Sequence, residues 1–308
     1  MTRRDAMALL AAVPVAAWAA NLPQPAAAVS LGFSLYGMKN IPVIEAIRTC
    51  AAIGYDGVEL CLFPGWTEPD QLSPAIRRDI RSTLQSSGLV LSALMEDIHP
   101  LGPELAQNAG PEHIRKAAAL GHDLSSSTTR IETVLGGKPT EWESMKHQMA
   151  DHLAVWAAEA ARCDALLCIK AHVGGAVDTP DKLLWLYHQV NLPALKLVYD
   201  YSHFQLAGLS LERTLRTIIP YCAFIHVKDA KGDAAQPQFL LPGDGTVDYA
   251  VYFRLLHSTS YVGPVVCEVS AQLQKARGYD PLQAARQSYQ RLSQALTAAH
   301  LPRQRMVA

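Results

Sequence analysis

Residues 224–230, FIHVKDA, decide how the rest of the 308-residue chain is read. As a β-strand, this stretch places Phe224, His226 and Lys228 on one face and Ile225 and Val227 on the other. A mostly apolar strand that ends in His, Lys and Asp carries polar groups it cannot bury without partners. Two more runs finish in the same way. ALKLVYDYSHF, residues 194–204, brings Asp200 and His203, and PVVCEVS, residues 264–270, brings Glu268. Carboxylates and an imidazole at three consecutive strand ends make a divalent-metal constellation. Asp200, His226 and Glu268 predict one divalent ion, and this donor set suits Mn, Mg or Zn.

Outward from these runs the chain keeps a regular beat. Five further apolar runs read as strands, at 29–38, 55–63, 89–96, 129–137 and 165–175. Amphipathic stretches follow each strand, among them 73–88, opened by Ser73-Pro74 and closed by Gly88, and the long 141–163. Eight strand–helix pairs, with strands too apolar for a one-sided sheet, predict a single (β/α)8 TIM barrel. An open doubly wound sheet is the rival, and no glycine-rich dinucleotide fingerprint follows strand one.

Residues 1–28 read as an export signal rather than fold. Arg3-Arg4 precede the apolar stretch Ala6 to Ala20, and an A-x-A match ends at Ala28. The arginine pair makes a twin-arginine signal the best sub-type. The apolar core is short for a membrane span. The expectation is cleavage near Ala28, a barrel domain over 29–308, a periplasmic or exported product, and no stable membrane insertion afterwards. The formal net charge of -1 gives no electrostatic case for a nucleic-acid partner. The six cysteines include no C-x-x-C pair and read as buried thiols.

Catalytic groups of such a barrel collect at the carboxyl ends of its strands. There stand Glu96 and His99 after strand three, and Lys170 and His172 on strand five. Asp200 and His203 follow on strand six, His226, Lys228 and Asp229 on strand seven, and Glu268 on strand eight. Alternation places Lys170 and His172 on one face, with Cys168. Asp229 reads equally well as a turn former, and Glu132, in mid-strand, as one side of a salt bridge.

DYSH at 200–203, HVKD at 226–229, PGDGTVD at 242–248 and EVS at 268–270 carry a resemblance. The chain from strand one to the last helix resembles the xylose-isomerase-like TIM barrels, the superfamily of sugar phosphate isomerases and epimerases. The resemblance implies a divalent metal held by Glu, Asp, His and Glu on strands five to eight. Three of these carry over, as Asp200, His226 and Glu268. The strand-five position is Lys170, and His172 is the nearest substitute ligand.

The resemblance also implies a small carbohydrate or polyol substrate and proton abstraction beside a carbonyl. Glu268 or His203 would take the proton, and Lys170 would stabilise the enediolate. His203, Lys228, Glu96 and His99 are the expected substrate contacts. The alternatives are a lyase acting by β-elimination on a keto-sugar or keto-glycoside, and a non-catalytic exported sugar-binding barrel. A homo-oligomer is compatible with the sequence.

Overall fold

Strand β1 (Ala28–Ser34) is closed over by β10 (Val262–Cys267), and that pairing joins the two ends of the sheet. Between them run β2 (Gly57–Cys61), β3 (Val90–Met95), β4 (Thr129–Thr133), β5 (Ala165–Lys170), β6 (Leu195–Asp200) and β7 (Cys222–Val227). All neighbours are parallel, and the order is β1-β10-β7-β6-β5-β4-β3-β2. This closed eight-stranded barrel is the predicted (β/α)8 fold. The structure, a computed structural model, describes residues 27–96, 98–102 and 109–304.

Helices cover the outside: α1 (Val43–Ile53), α2 (Pro74–Ser87), α3 (Ala109–Leu124), α4 (Trp142–Arg162), α5 (Pro180–Val190), α6 (Tyr201–Leu206), α7 (Leu211–Ile218), α8 (Tyr249–His257), α9 (Ala271–Gln274) and α10 (Pro281–Ala298). Their ends follow local chemistry. Ser73 caps α2 through Ile76 N, Pro74 fills its first position, and Gly88 ends it at φ 65°. Alternation along each strand divides the core in two. Ile225 and Val227 join the apolar layer between barrel and helices, whereas Phe224 packs inside the barrel on Ala93, Cys168, Val198 and Val266. All six cysteines are free thiols.

Three departures from the expected elements bear on the site. The run 194–204 stops as a strand at Asp200, whose side chain caps α6 through Ser202 N, so His203 lies on a helix. Strand β5 stops at Lys170, before His172. FIHVKDA breaks after Val227. Its tail forms β8 (Asp229–Lys231), which pairs antiparallel with β9 (Gln238–Leu240) in a ribbon over the barrel mouth.

Residues 1–26 of the expected export signal lie outside the described residues. Ala27 and Ala28 are buried, and Ala28 N donates to Tyr261 O at 3.1 Å, so β1 starts one residue before the expected domain boundary. Among the described residues no helix is long and apolar enough to cross a membrane.

Asp229 is a turn former of an unusual kind. Its Oδ1 accepts from the backbone of Ala230, Thr246 and Val247, and its Oδ2 from that of Gly243. One buried carboxylate thus folds the PGDGTVD loop. A Cβ on Gly245 would come 2.0 Å from Asp229 Oδ1, so only glycine fits there. Asp229→Ala should leave four amides without this acceptor and lower stability by about 2–3 kcal/mol in denaturant melts. An unchanged midpoint would show that the loop holds itself.

Candidate active site at the barrel mouth

Register brings the chemistry together. Asp200 pairs with His226 across β6 and β7, and His226 with Val266, two residues before Glu268. Glu59 on β2 and Glu132 on β4 point into the same space, which four carboxylates, two ammoniums and one imidazole fill. Every one of these side chains is buried.

Lys170 Nζ is central. It donates to Glu268 Oε2 at 2.9 Å, lies 3.3 Å from Glu132 Oε1, and stands 3.9 Å from Asp200 Oδ2. His226 Nδ1 is 3.0 Å from the same ammonium. Lys228 Nζ bridges Asp200 Oδ2 at 2.6 Å and Glu268 Oε2 at 2.9 Å. His226 lies between two carboxylates, with Nε2 3.0 Å from Glu59 Oε1 and Nδ1 3.0 Å from Glu268 Oε2. Burial alone would lower its pKa, but Glu59 and Glu268 outweigh burial and Lys170 and push it up to about 9. The protonated ring donates to both carboxylates, and its contact with the Lys170 ammonium is then repulsive.

The carboxylates divide. Burial opposes ionisation of Glu268, yet Lys170, Lys228 and His226 hold its carboxyl well below the usual range. Asp200 is held down likewise, chiefly by Lys228 against its own burial. Glu132 goes the other way. Burial raises its pKa and outweighs Lys170 and His226, and neither of its oxygens has a hydrogen-bond partner. Lys170, Lys228 and His226 thus face the carboxyl groups of Glu59, Glu132, Asp200 and Glu268.

This cluster floors a cavity of ≈ 220 Å³, lined by Glu132, Lys170, Lys228 and Glu268 below and by Tyr36, His172, Phe239 and Gln272 toward the opening. The cavity gathers some of the expected site residues and not others. His172 lines the cavity but does not join Asp200, His226 and Glu268 as a ligand. Because β5 has ended, alternation no longer sets its direction, and its Nδ1 faces Val173 O at 3.1 Å. Burial and the two lysines lower its pKa to about 4. His203 is fully buried beneath His172, ring centroids 3.9 Å apart, and does not line the cavity. Val173 N donates to its Nδ1 at 3.3 Å. Glu96 and His99 lie off the cavity as well, because the chain turns away after β3. Lys228 does line it.

Sequence reasoning missed Glu59 and took Glu132 for a structural ion pair. The ion pair is there, but it faces the cavity. Glu59 interrupts the apolar strand GVELC, and that interruption was the signal available there; Glu132 sits among Thr and Arg in TRIET, where no such signal exists.

The three ligand atoms offered by Asp200, His226 and Glu268 lie within 4.8 Å of one another, close enough to hold one divalent ion. The surrounding residues do not fit such an ion. Glu268 Oε2, His226 Nδ1 and Lys170 Nζ form a triangle with sides of 2.9, 3.0 and 3.0 Å, so the ammonium holds the ground an ion on those two ligands would take. A second ammonium, Lys228, stands 2.9 Å from the same glutamate oxygen.

Glu96 has a partner of its own, His113 Nδ1 at 2.6 Å. That hydrogen bond outweighs partial burial and raises the His113 pKa above its ordinary 6.5. A raised folded pKa gives stability that is complete below the ordinary value and is lost as pH rises through the folded one. Glu96→Gln should therefore bring the NMR titration of His113 down toward an ordinary histidine. A wild-type His113 that already titrates at the ordinary value would refute the pairing.

Comparison with known proteins agrees with this fold. A curated relative, an inosose dehydratase from Geobacillus kaustophilus, is 24% identical over 175 residues, 52% of this chain and 56% of that protein. The chain thus spans little more than half the length of that relative. Two solved structures share the fold. The 3-keto-D-glucoside 4-epimerase from E. coli has a TM-score of 0.69 at 18% identity, over 86% of this chain and 99% of that one. A xylose isomerase-like TIM barrel protein from Mycobacterium smegmatis, in complex with magnesium, has a TM-score of 0.65 at 17% identity, over 89% and 97%. Residues 47–295 match the family model described as xylose isomerase-like TIM barrel, and the chain belongs to that family.

Proposed function

We propose that this barrel is an isomerase- or epimerase-type enzyme acting beside the carbonyl of a carbohydrate or polyol-derived substrate. The reading rests above all on the pair Glu132 and Glu268, 3.3 and 2.9 Å from Lys170 Nζ on the cavity floor, with pKa values pushed in opposite directions. Buried carboxyl groups driven apart in this way supply an acid and a base. Glu268, ionised and lining the cavity, takes the proton from the carbon next to the carbonyl. The electron pair moves onto the carbonyl oxygen, and the Lys170 ammonium stabilises the oxyanion. Glu132, whose pKa burial raises, returns a proton at a second position. His203, behind His172, is too deep to be the base.

The same carboxyl group supports a second reading. Where the substrate carries a hydroxyl or glycosyl group β to the carbonyl, Glu132 protonates it as it leaves, and the product is an unsaturated ketone. The relative named an inosose dehydratase favours this lyase outcome, and the structural neighbour named a 4-epimerase favours the first.

Incubation with keto-sugars and keto-cyclitols in heavy water tests the proposal. One C–H beside the carbonyl should exchange, as read by NMR, and product analysis then separates isomer, epimer and eliminated ketone. Glu268→Gln should slow exchange by about 10²–10⁴-fold. Glu132→Gln should spare exchange and abolish product. Sugar that binds without any exchange would favour a non-catalytic binding barrel.

We also propose that residues 1–28 direct export. Mass spectrometry of the protein from its native host should then find no peptide from the first 20 residues. Intact N-terminal peptides in the cytoplasmic fraction would count against it.

A further inference from the structure

The geometry points to a barrel in which the ammonium of Lys170 permanently takes the place of the divalent ion expected at Asp200, His226 and Glu268. Three observations carry this. Lys170 Nζ is 2.9 and 3.0 Å from two of the three candidate ligands and 3.9 Å from the third. A tethered cation of that size, in van der Waals contact with both atoms, leaves no room between them for an ion that must approach each within ~2.0–2.6 Å. Second, the side chain belongs where it stands. Lys170 is the last residue of β5 and 3% exposed, two residues past Cys168, which packs in the barrel's apolar interior. Third, the far side of the carboxylates is also taken, because Lys228 binds Asp200 and Glu268 at 2.6 and 2.9 Å.

The two ammoniums offer together the charge of one divalent ion, divided over two points. Both line the cavity. A substrate with a carbonyl and a neighbouring hydroxyl presents two oxygens, and each finds one N–H donor. On enolisation the C–H bond breaks and its proton goes to the Glu268 carboxylate. The electron pair becomes the C–C double bond of the enediol, and the former carbonyl oxygen carries the negative charge beside Lys170. No external oxidant or co-reactant is needed. This catalytic part rests on the enolisation proposed above, while the placement of the ammonium does not.

The test uses the full-length protein as purified, without chelator, and needs no substrate at first. Elemental analysis should find far less than one equivalent of Mn, Mg or Zn per chain. The Tm should be the same in EDTA and in millimolar MnCl2, MgCl2 or ZnCl2. Lys170→Glu/Lys228→Met, which removes both ammoniums and adds a carboxylate, should bind Mn and raise its Tm by roughly 5–10 °C at a hundredfold excess over Kd. One equivalent of metal in the wild-type protein, or a Tm that EDTA lowers, overturns the inference. So does a folded Lys170→Glu/Lys228→Met protein that ignores the metal. Should that variant not fold, the wild-type measurements decide alone. Solvent-deuterium exchange into keto-sugars should persist in EDTA, and its loss there also overturns the inference. A metal-free wild-type protein that exchanges no sugar at all leaves the ammonium in place and removes the enolisation reading only.

Discussion

Lys170 and Glu268, 2.9 Å apart at the barrel mouth, set the terms for everything around them. Both side chains are buried, and a buried charge without a partner costs several kcal/mol. The pair alone does not settle the matter, because Glu59, Glu132, Asp200, His226 and Lys228 are buried beside it. A charge-balanced network is the only inexpensive arrangement for such a group. Removing one partner of such a pair is more damaging than its net contribution suggests, since the other stays behind uncompensated.

The barrel supplies the placement. Parallel register sets Asp200 opposite His226, and the same two-residue period that turns Ile225 and Val227 outward turns His226 inward. Below this level the interior is filled by Cys168, Val198, Phe224 and Val266, a dry floor that raises the worth of every charge above it. Above it, the β8–β9 ribbon brings Phe239 over Lys228, with Nζ 5.3 Å from the ring centroid. Asp229, one residue past Lys228, ties the next loop down with backbone hydrogen bonds. Adjacent residues thus do different work: Lys228 faces the cavity and Asp229 holds its rim.

Where a residue sat inside a regular strand, the sequence was a reliable guide. Alternation alone placed Phe224, His226 and Ile225 on their faces, and the strand–helix beat implied the closed barrel. The guide failed wherever a strand ended sooner than its apolar run. His172 and His203 were expected on β5 and β6, but both strands end earlier: His172 lines the cavity from the loop after β5, and His203 lies on α6. Glu59 and Glu132 were passed over for the opposite reason. They sit within strands, where a carboxylate looks structural, and only closure of the barrel shows that the space they face is shared with Lys170. Partners from β2 and β7, such as Glu59 and His226, are distant in sequence and invisible to any local pattern.

A lysine in a metal's position changes the physics as well as the inventory. A divalent ion concentrates two charges at a point, binds oxygens from any direction within its shell, and exchanges with solution. An ammonium carries one charge, donates along three fixed directions, and is covalently present in every molecule. Lys170 has three buried carboxyl groups within 3.9 Å, so its charge is largely answered before any substrate arrives. In the enolisation we propose, its value to a developing enediolate therefore comes from orientation and dryness more than from net field, as for other preorganised donors. Lys228 makes that arrangement sufficient, since one donor per oxygen replaces the two bonds that a single ion would provide. On this reasoning the departure on strand five is tolerable only because strand seven carries its own lysine, and the two residues function as one unit.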